Sequence, residues 1–260
     1  NGDVFLDETN NLLIGSIAVG ANELNLTVAG SLNDATAGND NVVDITAGAV
    51  TLRAATGIGN DARLEIITTT IDAETTVGDI DLAGSGALQI NNLSAAAGAI
   101  QLFTVGDLTI GRGDPDINLG GLNAALNVVS ANGEIRLAAD PGKTGSFDLI
   151  QQGGIASTNG PVILLASGNV LAKNPETVIS VPQAPFVIDS PRVELVALQG
   201  FVGSTDGISQ TGAAATTARE FFVSQGGTGE AFLIAGLAAV SASTSNFQLD
   251  SLFGGVVNTF

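Results

Sequence analysis

Apolar and polar residues alternate along this chain in short runs that follow a glycine: Gly2-Val4-Leu6, Gly48-Val50-Leu52, Gly78-Ile80-Leu82, Gly98-Ile100-Leu102, Gly133-Ile135-Leu137 and Gly160-Val162-Leu164. A period of two after a turn residue predicts a short strand with one face buried. Successive glycines of this phrase stand 46, 30, 20, 35 and 27 residues apart. Further alternating runs, Leu24-Leu26-Val28, Leu64-Ile66, Leu88-Ile90, Leu108-Ile110, Ile117-Leu119 and Leu126-Val128, fill the longer gaps. Irregular self-similarity at about 20 to 30 residues predicts stacked coils, none of which buries its apolar face alone.

Helical signals are weak, because Gly, Asn, Thr and β-branched residues interrupt every window. The best helix candidate is the Ala- and Thr-rich stretch 211–222, which suits a coil excursion equally well. A β-sandwich needs frequent two-residue hairpin turns. Beyond Asn1-Gly2, only Asn132-Gly133 and Asp206-Gly207 offer them. The fold class expected is therefore all-β, a parallel β-helix, and about 20 to 25 residues per turn gives roughly ten to thirteen coils. With strands about 4.8 Å apart the rod would be of order 50 to 60 Å long, with open strand edges at its ends. Pro175, Pro182, Pro185 and Pro191 crowd four of the seven prolines into one stretch, where no central ladder tolerates them. This divides the chain into regular coils (1–171), a Pro-rich excursion or seam (172–191), and further coils with an end region (192–260).

Composition narrows the function. Apolar residues make up 45% of the 260, but all 11 aromatic residues are Phe, so the interior is narrow and aliphatic. Phe103, Phe147, Phe186, Phe201, Phe221, Phe222 and Phe253 read as core stacks or end caps. Cys, Met, His, Trp and Tyr are absent, which removes Ser-His and Cys-His catalysis, thiolate metal sites and an imidazole base. A sugar groove would have to be polar, lacking Trp and Tyr for stacking. The longest apolar run, 231–240, contains Gly236 and falls short of the roughly 20 residues that span a bilayer as a helix. No membrane insertion is expected. The lack of a starting Met and of a charged-then-apolar leader suggests a piece of a longer or processed chain.

Formal charge is −18, from 26 acidic and 8 basic residues, so nucleic acid is not an expected partner. Residues 1–81 hold 13 of the acids against Arg53 and Arg63 alone. The densest polar cluster is Asn33-Asp34 with Asn39-Asp40-Asn41 and Asp44. Hard oxygens on a Gly-containing loop suit Ca²⁺, making Asp34, Asp40 and Asp44 the candidate metal ligands and Ca²⁺ the one candidate cofactor. The competing reading is a solvated turn, which Asn and Asp favour for their own local hydrogen bonds. The cluster lacks both EF-hand spacing and the Gly-Gly-x-Gly-x-Asp repeat. A second acidic loop pairs Asp114 and Asp116 beside Arg112. Asp79 and Asp81 flank Ile80 on one outer face, a pair that alternation alone produces. No catalytic residue is assigned. Thr68-Thr69-Thr70 and Thr75-Thr76 do not repeat in register, which argues against ice binding.

The run 44–59, with Leu64 to Ile71, Gly78 to Leu82 and Gly86 to Ile90, resembles the repeats of filamentous-haemagglutinin-like adhesins, very large bacterial surface proteins. Residues 98–110 look similar again, and weaker echoes extend to residue 171 and, loosely, over 192–240. The resemblance implies a right-handed parallel β-helix, secretion to the cell surface, and a role in adhesion, biofilm matrix or a surface layer. It carries over no catalytic residue. The function expected is an extracellular structural or adhesive β-solenoid, a segment of a surface adhesin or filament without catalysis. One alternative is a self-assembling fibre subunit, and a more distant one a β-helix polysaccharide lyase or hydrolase. Expected partners are other copies of the chain or adjacent repeats of a longer one, and glycans or other cells at the surface.

Overall fold

The computed structural model describes residues 2–36, 40–111, 127–172, 187–200, 202–204, 222–224, 230–235 and 247–248. These form 25 strands and no helix, and every strand pairing is parallel. The chain passes between two large sheets. A 10-stranded sheet includes Leu64–Ile67, Ile80–Ser85, Ile100–Val105, Ile135–Ala139, Val162–Ala166, Arg192–Ala197 and Glu230–Ala235 in that order. A 13-stranded sheet runs from Val4–Glu8 through Glu23–Val28, Ala49–Ala54, Thr70–Thr75 and Leu88–Ala95. A smaller pair joins Leu12–Ile14 to Leu32–Asp34, and single bridges continue it from Leu32 through Ile58 to Ile80.

Register explains the recurring phrase. In the 10-stranded sheet, Leu64, Leu82, Leu102, Leu137, Leu164 and Leu195 lie in one row, each fully buried. Ile80, Ile100, Ile135, Val162 and Val193 form a second row two residues earlier. The first two copies of the phrase, at Val4-Leu6 and Val50-Leu52, belong to the other sheet, where Val4-Leu24-Val50 and Leu6-Leu26-Leu52 align. One pattern thus serves two sheets, because each needs only small branched residues stacked on their like.

The phrase glycines have a separate cause. A Cβ on Gly98 would strike the backbone of Gly78, and one on Gly160 would strike the backbone of Gly133. Gly48 and Gly78 meet the backbone of Ala21 and Thr56 in the same way, whereas Gly2 has nothing near it. The glycine marks where backbone of one layer rests on backbone of the layer before.

The 13-stranded sheet branches at Leu88–Ala95. Its pairing with Thr70–Thr75 shifts between Ile90 and Asn92, a bulge that bends the strand. Beyond it, Leu88-Ile90 continues into Leu108–Ile110, Leu149–Gln151, Val170–Ala172 and Val202–Ser204, while Leu93-Ala95 continues into Asn127–Ala131, Gly154–Ser157, Val187–Asp189 and Phe222–Ser224. Layers past this point carry one strand more than the layer of Thr70–Thr75 and Ile80–Ser85, and in-register partners stand further apart along the chain: 20 residues from Ile80 to Ile100, but 31 from Val162 to Val193.

Asn127–Ala131 buries Val129 in register between Leu93 and Ile155, and Ala131 between Ala95 and Ser157. Leu126, from the expected Leu126-Val128 alternation, lies outside the described residues. Pro175, Pro182 and Pro185, the Ile117-Leu119 run and nearly all of the 211–222 stretch lie outside the described residues; Phe222 begins a strand.

Candidate metal centre

The sheet pairing brings together three acids from distant parts of the sequence. Asp34 ends Leu32–Asp34, Asp44 directly precedes Ile45–Thr46, and Glu65 lies in Leu64–Ile67. The Ile45–Ile66 register sets Asp44 beside Glu65. The Asp44 N–H donates to the Glu65 carbonyl at 2.9 Å, and the Glu65 N–H donates to Asp44 Oδ2 at 2.9 Å. Glu65 alternates with Leu64 and Ile66, so it points away from the aliphatic rows. Even so it is only 7% exposed, with Asp34 at 4% and Asp44 at 2%. One carboxylate oxygen from each lies within 4.8 Å of the others.

Asp34 is held in place by its surroundings. Its N–H donates to the Ala62 carbonyl, and its Oδ1 accepts the Thr36 N–H at 2.9 Å. Neighbouring Asn33 accepts from the Asp61 N–H and donates to Ser31 Oγ. Asp34 Oδ2 and Glu65 Oε2 are buried with no hydrogen-bond partner. A buried carboxylate oxygen without a donor is costly, so such a cluster calls for a proton or a cation.

Burial raises the pKa of Asp44 to about 7, and the nearby carboxyls of Asp34 and Glu65 push the same way against the Glu65 N–H. Burial also raises Glu65, with the charges of Asp34 and Asp40 adding to it, while its bond with Asp44 and the charge of Arg63 oppose. Asp140 is equally hidden but fully bonded. Its Oδ1 accepts from Thr144 Oγ1 at 3.0 Å and its Oδ2 from the Gly145 N–H at 2.7 Å. Burial would raise its pKa, yet these bonds outweigh it and the pKa is lowered. The contrast isolates what Asp34 Oδ2 and Glu65 Oε2 lack, which is a donor.

Of the residues expected from the sequence, Asp34 and Asp44 come together. Asp40 is exposed and turns Oδ1 onto the Val42 N–H at 2.8 Å. Glu65 replaces it in the trio. Asp114, Asp116 and Arg112 lie outside the described residues. Asp79 and Asp81 serve separate partners: Asp79 Oδ1 accepts the Ala99 N–H at 2.8 Å, and Asp81 takes both Nε and Nη2 of Arg63 at 2.6 and 3.2 Å.

Arg63 also lies 5.0 Å from the centre of the Phe103 ring, so that phenylalanine packs on the outer face under a cation. Phe147 packs against the core, whereas Phe5 is 70% exposed. Arg63→Ala is expected to destabilise the chain by about 1 to 3 kcal/mol, read as a shift of the urea midpoint at constant slope. Arg63→Lys should recover only part of this, having no fork for both Asp81 oxygens.

Compared with protein-family models, curated proteins and solved structures, the chain matches none.

Proposed function

We propose that the chain is an extracellular structural or adhesive β-solenoid, a segment of a bacterial cell-surface adhesin, filament or matrix, without catalysis. In this reading the two sheets wind as one right-handed parallel β-helix of roughly ten to thirteen coils. The supporting observation is the unbroken register of the 10-stranded sheet, with the leucine row from Leu64 to Leu195 beneath it. Ladder hydrogen bonds run along such a stack, so axial load is shared by several bonds in every layer. The result is a thin, stiff spacer whose length follows the number of layers. Its surface is acidic, which keeps it soluble and repels nucleic acid.

Antibodies against the chain should label intact, unpermeabilised cells of its source organism; labelling only after permeabilisation would contradict a surface role. Incubation with acidic and neutral polysaccharides should release no reducing or unsaturated ends. Release abolished by a point substitution in the chain would favour the lyase or hydrolase alternative.

One observation bears on how the stack continues. Val4 and Leu6 continue the buried rows of Leu24 and Leu26, yet they are 36% and 40% exposed, and the outer edge of Val4–Glu8 has no partner strand among the described residues. Such an edge accepts another coil, from a longer chain or from a second copy. Leu6→Asp together with Phe5→Asp should lower self-association at least tenfold by sedimentation, with unfolding of the monomer little changed. Unaltered assembly would exclude this end as the contact.

A further inference from the structure

We infer that Asp34, Asp44 and Glu65 form a calcium site that ties two adjacent layers of the stack together. The inference does not depend on where the protein works. The acids come from three segments that the sheet pairing fixes in space, and all three are more than nine-tenths buried. Two of their oxygens, Asp34 Oδ2 and Glu65 Oε2, have no donor. Arg63, whose charge reaches Glu65, is engaged by both oxygens of Asp81. Three carboxylates in one buried space without a cation repel each other and lack solvation, and a divalent ion answers both deficits.

Ligand chemistry selects the ion. The three donors lie within 4.8 Å of one another, close enough to share one ion. Mg²⁺ demands near-ideal octahedral geometry and gives up its waters reluctantly, whereas Ca²⁺ accepts an irregular cage of protein oxygens. All donors are hard oxygens, and the absence of Cys and His removes any softer competitor. Ca²⁺ takes six to eight oxygens, so neighbouring carbonyls and water complete the shell.

The site sits where a cross-link matters. Asp34 and Asp44 belong to one layer, and Glu65 belongs to the next. An ion there would join the two layers on the outer face of the sheet.

The test is calorimetric titration of the whole chain with CaCl₂, paired with thermal unfolding in Ca²⁺ and in chelator, for the natural chain and for Asp44→Asn, Glu65→Gln and the distant, exposed Asp7→Asn. The result expected is one ion bound per chain, with Mg²⁺ at least tenfold weaker. Asp44→Asn and Glu65→Gln should each weaken binding tenfold or more, and Asp7→Asn should not. In Ca²⁺ the two variants should melt below the natural chain; in chelator they should melt at or above it, because removing one buried charge relieves the other two. That reversal of order separates an ion site from a purely structural cluster, and it shows that the variants fold. No binding at millimolar Ca²⁺, binding indifferent to both substitutions, or preference for Mg²⁺ would each overturn the assignment.

Discussion

Gly98→Val is expected to destabilise the chain by about 3 kcal/mol or more, while Gly2→Val changes it by less than about 0.5 kcal/mol. The two glycines open the same phrase, so sequence context does not distinguish them. Layer position does. A Cβ at Gly98 meets the carbonyl of Gly78 and a carboxylate oxygen of Asp79, whereas Gly2 has open space. Ile80 and Ile100, two residues on, are fixed in register and fully buried or nearly so, so neither layer can retreat. Urea unfolding followed by far-ultraviolet circular dichroism measures both variants. Equal effects at the two sites would mean that layers do not rest backbone on backbone at the phrase glycine.

With divalent ions chelated, stability is expected to fall as pH rises from about 4 to about 7. Asp44 is the cause: its ordinary value is 3.8 and the fold raises it to about 7. Below 3.8 both folded and unfolded chains hold the proton. Between the two values only the folded chain holds it, so each increase in pH favours unfolding, by up to about 1.4 kcal/mol per pH unit from this group. Glu65, also raised, adds in the same direction. Asp140 acts oppositely, since its lowered pKa stabilises the fold above its ordinary 3.8 and that gain is lost only in stronger acid. Urea titrations at half-unit intervals between pH 4 and 8 should show the decline, and Asp44→Asn should flatten it. A flat profile in the natural chain would show that the trio is not buried as described.

The strand positions were largely legible from the sequence, because each phrase places its Ile or Val and its Leu in rows that only parallel stacking fills. The repeated glycine pointed to turns but not to its deeper cause, since contact between layers is invisible until register is known. The branch at Leu88–Ala95 was hidden for a similar reason. Its residues alternate correctly from Leu88 to Ile90 and again from Leu93 to Ala95, and the slip at Asn91 reads as ordinary polar sequence. At the candidate site, Asp34 and Asp44 were found by local density and Asp40 was drawn in by the same criterion. Glu65 was missed because it stands alone between Leu64 and Ile66. The available signal was periodic: Glu65 follows Asp44 by 21 residues, which is the spacing of Ile45 and Ile66 in the ladder. In stacked folds, ligands are neighbours one layer apart, not neighbours in sequence.

Cryo-electron microscopy of the purified chain shows whether the two sheets wind as one rod. Rods of uniform width with a repeat near 4.8 Å along the axis are expected, single or joined end to end. Globular particles without that axial repeat would contradict it.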